Sequence, residues 1–323
     1  MPAFTDLIRP FWLPGLNTIS GKVSFNIRNW IIRKDYQIYQ VLKKDSFVLT
    51  VSEPTSLLSA FAFDHSKMSI AALESIYLIE KNKLFPKSFS WLFIKVYYAA
   101  FYSAHAILRM LGVSLTHFGN TEASTINAIG SIFGAAPENL ASGFYKCVFD
   151  SNRKTLHGQK LDASGGGSHE ILWKVFHETV NDLSNKILLG HGLTIDRQKV
   201  SNKLSDICSN LAHGPCNSNK GWLSFIRNGI TYRHEHSVWF PYNNQLSHYE
   251  RFYDLVLLWK KDPLEISLYM QHGRDLQRFI ETCCLLVSLL RLLDLDMANR
   301  CPIGKSFLVF GPISFLNKAG IND

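Results

Sequence analysis

The sequence predicts an all-α fold with little or no sheet, on three observations. Apolar residues recur at spacings of three and four over most of the chain, few stretches alternate, and prolines and glycines punctuate the periodic segments. The helical pattern covers residues 68–83, 89–111, 170–189, 197–211, 248–260 and 274–297. With shorter candidates this gives roughly ten helices, and helices joined by short loops pack as antiparallel bundles. Residues 47–51 and 307–310 are short β-branched or aromatic runs, which read either as pairing strands or as extended loops.

Breaks fall at Pro54, at Phe85-Pro86, around Pro137, at Gly165-Gly166-Gly167 and between Gly214 and Gly221. The triple glycine reads as a flexible loop, because no G-K-[ST] follows it to cradle a phosphate. The expected organisation is an N-terminal extension (1–63) packed on the core, a helical core (64–300) with a glycine-rich loop near 162–168, and a C-terminal tail (301–323).

Composition supports a packed core: 46% hydrophobic and 19% charged residues exclude the polar, highly charged regime of disordered chains. A net charge of +8 and a pI near 9.1 favour an anionic partner, and the basic residues form no polybasic run. The six cysteines, at 147, 208, 216, 283, 284 and 301, form no C-x-x-C pair and fit a reduced compartment. The first fifteen residues, MPAFTDLIRPFWLPG, lack the layout of a secretory signal. Residues 91–113 carry Lys95, His105 and Arg109, and residues 283–293 carry Arg291, so neither stretch reads as a membrane span. The expectation is a cytoplasmic protein with no membrane association, no cofactor and no metal.

The stretch most informative about chemistry runs from Trp222 to His236. Arg227 and His234 are seven apart, and seven steps of about 100° return to within roughly 20° of the start, so a continuous helix would put both on one face. A fixed cation beside an imidazole suits phosphodiester cleavage: the imidazole handles the 2′-hydroxyl or leaving-group proton and the guanidinium steadies the phosphorane. The same spacing is also met by an arginine in a structural ion pair and a histidine near a helix end. Gly229, between them, marks a candidate kink. Downstream, Trp239 and Phe240 read either as base-stacking residues beside basic ones or as anchors of the chain leaving the helix. No H-E-x-x-H or G-x-S-x-G occurs, and the carboxylates are scattered.

Arg227-Asn228 with His234 resembles the signature of the HEPN superfamily, an Arg with a polar neighbour and a His after four to six intervening residues. Upstream, Tyr97-Tyr98-Ala-Ala-Phe101-Tyr-Ser-Ala-His105-Ala-Ile-Leu108 is similar to the tyrosine-rich helix that opens many HEPN bundles. The helix also reads simply as packing, with alanines for close approach and Tyr97, Phe101 and Leu108 for core. The two segments total about forty residues and lie further apart than in a minimal HEPN unit, implying an insertion or a second bundle.

The resemblance implies a HEPN-like bundle with additional helices, usually a homodimer, that cuts RNA without metal. In it Arg227 and His234 would be catalytic and Asn228 supporting, with Tyr232, Arg233 and His236 contacting substrate. It further implies a toxin or anti-phage defence effector held by an antitoxin or defence-system partner. A rival site is Arg153 with His157, four apart and ending in His-Gly, read as sharing a helix face. The competing function classes are a non-catalytic HEPN-like module that binds nucleic acid, nucleotide or a partner protein, and a purely structural helical adaptor.

Overall fold

The computed structural model describes residues 2–81, 88–162, 167–191, 194–214, 221–240, 249–268 and 275–321. The triple-glycine loop and the 214–221 break fall largely outside these residues, as do Phe85-Pro86 and Cys216. The chain forms two compact units. The first combines Met1–Pro10, Met68–Ala104 and His169–Asp296, and the second Phe11–Lys67, His105–Ser168 and Met297–Asp323.

The first unit is helical. It contains α1 (Pro2–Ile8), the later part of α3 (Pro54–Lys81), the earlier part of α4 (Ser90–Met110), α6 (Gly167–Leu189), α7 (Thr194–Ala212), α8 (Trp222–Tyr232), α9 (Tyr249–Val256) and most of α10 (Asp275–Ala298). Every residue from Arg278 to Asp294 on α10 is buried, as expected of a central helix apolar on all sides. The polar side chains in that run are partnered. Arg278 donates to the Asn210 side chain and to the His213 carbonyl at the end of α7, Ser288 donates to the Lys261 carbonyl, and Asp294 accepts from Ser69. Trp173, Trp222, Phe176 and Phe279 fill the surrounding core, and Tyr97 stacks on Phe279 with centroids 6.3 Å apart. Cys283 and Cys284 are buried in this core, which pushes both thiols up from their ordinary range.

The second unit corrects the all-α expectation. At 65% helix and 11% strand the fold is mixed, because this unit holds a five-stranded antiparallel sheet. Its strands are β1 (Tyr36–Ile38), β2 (Ser46–Val51), β3 (Val113–Phe118), β4 (Gly143–Asp150) and β5 (Thr155–Lys160), in the order β1-β2-β5-β4-β3. Tyr145, Cys147 and Phe149 of β4 face inward at every second position, and Phe47, Leu49 and Val51 of β2 do the same. Phe47 crosses directly over Gly158 of β5, where a Cβ would lie 2.1 Å from the ring, so only glycine fits. Helices α2 (Ile27–Arg33) and α5 (Asn120–Ile132) pack beside the sheet, joined by an ion pair from Arg28 to the buried Glu122. The run 307–310 is a 3-10 helix rather than a strand, followed by α11 (Pro312–Lys318).

Among the described residues no helix is long and apolar enough to cross a membrane.

Candidate functional site

Helix α8 buries Trp222, Leu223, Ile226 and Ile230, and Arg227 lies on this apolar face, one turn from Leu223 and from Ile230. Its side chain is therefore carried into the first unit, where Arg227 is only 6% exposed. Nη1 donates to Asn228 Oδ1 at 2.7 Å, and Nη2 donates to Tyr98 Oη at 3.2 Å and to His169 Nε2 at 2.8 Å. The guanidinium carbon lies 5.4 Å from the Tyr97 ring centroid, 5.5 Å from that of Tyr98 and 5.9 Å from that of Tyr232. Among the described residues no carboxylate pairs with Arg227, and its buried Nε has no hydrogen-bond partner. A desolvated cation stabilised only by neutral dipoles and ring faces is electrostatically short of an anion.

His169 enters from the first turn of α6, four residues before Trp173 and seven before Phe176, so the apolar face of α6 turns it inward. Because the guanidinium can only donate, Nε2 must accept, which places the proton of the neutral ring on Nδ1. Nδ1 then donates to Tyr97 Oη at 2.9 Å. Tyr97 Oη also accepts from Trp173 Nε1 at 3.2 Å, which leaves its own proton for Ser224 Oγ at 3.0 Å. Arg227, His169, Tyr97 and Ser224 form one polarised chain, joined at Tyr97 by Trp173, through a core of aromatic rings, with the Phe101 centroid 4.5 Å from the imidazole. Burial first, and the Arg227 charge second, pull the His169 pKa down to about 4, so the ring is neutral at physiological pH. Burial likewise pushes Tyr97 up to about 12, so its hydroxyl stays protonated.

The cluster reaches the surface. His169, Asn228, Tyr98, Phe101 and Tyr102 are half-buried, and Tyr232 is 71% exposed. Trp91, Phe225 and Phe240 are exposed on the same unit, with Trp91 edge-on to Trp239 at 5.5 Å. Trp239 is held by its Nε1 donating to the Ile230 carbonyl at 2.7 Å.

The structure unites some predicted site residues and separates others. Asn228 and Tyr232 stand beside Arg227. His234 does not share its helix face. Helix α8 ends at Tyr232, His234 takes a left-handed conformation (φ 53°), and its exposed ring rests edge-on against Trp239 at 5.6 Å. Beyond the helix end the Glu235 carboxylate folds back over Gly229, where a Cβ would lie 2.4 Å from Oε2. Arg233 pairs with Glu235 at 2.7 Å, which secures that reversal, and its guanidinium stacks over Phe225 at 4.4 Å. His236 is also left-handed (φ 70°), half-buried and lowered in pKa by that burial, and its Nε2 lacks a partner among the described residues.

The rival pair is corrected as well. Arg153 lies in the turn between β4 and β5, exposed and 3.9 Å from Asp150, while His157 is a strand residue whose Nε2 meets Thr155 Oγ1 at 2.9 Å. They share no helix face, because the turn and strand carry them along an extended backbone.

Among the described residues no group of three or more His, Cys, Asp or Glu is arranged to hold a metal ion. Comparison with family models, curated proteins and solved structures gives no match. The site is therefore read from its own chemistry. It pairs a fixed cation, able to bind and polarise an oxyanion, with a neutral imidazole whose single basic nitrogen points at that cation.

Proposed function

We propose that Arg227 and His169 form the centre of a metal-independent endoribonuclease. The observation that carries this reading is the buried Arg227 guanidinium, which has no carboxylate among the described residues and contacts a neutral imidazole instead. The arginine binds the scissile phosphate and stabilises the charge on its oxygens as the phosphorane forms. Nε2 of His169 takes the 2′-hydroxyl proton, the 2′-oxygen attacks phosphorus, and the bond to the 5′-oxygen breaks. The 5′-oxygen takes a proton from solvent, leaving a 2′,3′-cyclic phosphate and a 5′-hydroxyl. Asn228 orients the guanidinium, and the exposed rings of Tyr232, Phe225 and Trp91 offer faces on which unpaired bases stack. Arg233, stacked over Phe225, adjoins this surface.

The cytoplasmic setting, the homodimer and the toxin or phage-defence role implied by the HEPN resemblance belong to the same proposal, as does control by a partner protein. The test is incubation with single-stranded RNA in EDTA. The native protein is expected to release fragments with cyclic phosphate ends, with Arg227→Ala and His169→Ala each losing about 10²-fold or more and His234→Ala retaining activity. Undiminished cleavage by Arg227→Ala would refute the reading.

One observation favours a second reading, a non-catalytic module that binds nucleic acid. The His169 base nitrogen is already occupied by Arg227, so the cluster as it stands is better prepared to hold a phosphate than to remove a proton. RNA binding that Arg227→Ala abolishes, without cleavage by the native chain, would select it.

A further inference from the structure

We propose that the Arg227 guanidinium is a binding site for a phosphate oxyanion in competition with the His169 imidazole, so that an entering phosphate takes the guanidinium and sets Nε2 of His169 free. The inference rests on reading these two residues as one site, and it adds how that site passes from a closed to a working arrangement.

Four features of the cluster support it. The bond between Arg227 Nη2 and His169 Nε2 joins a cation to a neutral acceptor, whereas a phosphate oxygen brings a charge, and a pair charged on both sides binds more strongly. Arg227 Nε is buried without a partner, so the fork formed by Nε and Nη2 has one donor unused and a second held only by the ring and by Tyr98. No carboxylate among the described residues competes for the fork. The imidazole is placed to withdraw, since it stands in the first turn of α6, two residues after Gly167 at φ 65°, and is half-buried. Besides the Arg227 bond its only hydrogen bond among the described residues runs from Nδ1 to Tyr97 Oη, and its remaining neighbours are the rings of Phe101, Tyr97 and Tyr98, which make van der Waals contacts.

Displacement changes the charge that the imidazole meets. The titratable or charged groups around it are Tyr97 and Tyr98 from α4, Arg227 from α8 and, next to it on α6, Glu170, whose side chain lies against Gly221 at the start of α8. In the arrangement described, the cation is the nearest of these, and it adds to burial, the larger cause, in holding the ring neutral. With an oxyanion between them the ring faces a negative group, its protonated form is favoured, and it becomes competent to accept the 2′-hydroxyl proton. The substrate thus creates the base that it needs.

The experiment follows the His169 ring by NMR in histidine-labelled protein, titrated with inorganic phosphate and, at equal ionic strength, with chloride. Phosphate is expected to move the His169 signals saturably and to raise its titration midpoint by about 1 unit or more, and chloride to do neither. Calorimetry of phosphate binding supplies the second measurement. His169→Ala removes the competitor and is expected to bind phosphate several-fold more tightly, whereas Arg227→Lys, which keeps the charge but loses the fork, is expected to bind it about ten-fold more weakly. A midpoint that is the same in phosphate and chloride, or weaker binding by His169→Ala, would overturn the proposal. A linked midpoint in a protein that does not cut RNA upholds the exchange and refutes the nuclease, and cleavage without any phosphate response does the reverse.

Discussion

Arg227 in the first unit and Arg109 in the second are both buried, and the surroundings meet the two charges differently. Arg109, near the end of α4 in the second unit, is 3% exposed and lies 4.0 Å from the carboxylate of Asp64. Its guanidinium donates to the carbonyls of His105 and Leu115, and Asp64 accepts from the Ile27 backbone at the start of α2. Burial lowers the Arg109 pKa and raises that of Asp64, and each charge opposes the shift of the other. Arg227 in the first unit is almost as deeply buried but has an imidazole, an amide and a phenol around it. An arginine with a counter-ion ties elements together. One without a counter-ion among the described residues is open to a ligand that brings the negative charge.

Removing each side chain sharpens this contrast. The largest effect is expected for Arg227→Met, which should lose about 10³-fold in RNA cleavage while unfolding in urea within about 1.5 kcal/mol of the native protein, since an unpaired buried cation adds little net stability. A loss of several kcal/mol would place Arg227 with Arg109 as a structural residue. Arg109→Met is expected to behave oppositely, costing about 3 kcal/mol in the same urea experiment because it strands the Asp64 carboxylate, while RNA binding by the folded fraction is unchanged.

Smaller effects probe the imidazole. His169→Gln is expected to reduce cleavage about 10²-fold yet leave phosphate affinity within about three-fold, measured side by side on one preparation. The native protein should also lose stability as pH falls. His169 titrates near 6.5 when unfolded and near 4 when folded, so between these values only the unfolded chain takes up the proton. From pH 7 to pH 5 the expected loss is about 1–2 kcal/mol relative to His169→Gln, read from paired urea titrations, and equal pH dependence of the two proteins would contradict a ring held neutral. The smallest change is expected for His234→Ala, less than about three-fold in cleavage, because its exposed ring lies beyond the end of α8 against Trp239.

The sequence made α4, α6, α7 and α10 legible because each carries enough turns for a 3.6-residue period to stand out. It made β4 harder to see. Tyr145, Cys147 and Phe149 do alternate, but the run is only eight residues long and is followed by Arg153 and His157, whose spacing of four also fits one helix face. Strand pairing is nonlocal, so β2 found its partner in β5, more than a hundred residues away, where no local pattern points. The site divided in the same way. Arg227, Asn228 and Tyr232 are neighbours on one helix and could be found from spacing, whereas the imidazole that meets Arg227 comes from another helix, 58 residues earlier. A signal for His169 existed, since it falls in step with Trp173 and Phe176 on the buried face of α6, but that pattern also describes an ordinary core histidine. The expectation for His234 failed because it assumed that the helix continues, whereas α8 ends at Tyr232 and His234 is left-handed beyond it.

The chain passes from one unit to the other five times, after residues 10, 67, 104, 168 and 296. A contiguous gene fragment therefore encodes neither unit, and a cut at a boundary such as 67 or 104 would sever α3 or α4 in mid-helix. During synthesis the sheet can pair once residue 160 has emerged, but its unit is completed only when the segment from Met297 onward leaves the ribosome, and the helical unit waits for α10. The Arg227 cluster, whose Tyr97 stacks on Phe279 of α10, consequently takes shape only after α10 has emerged.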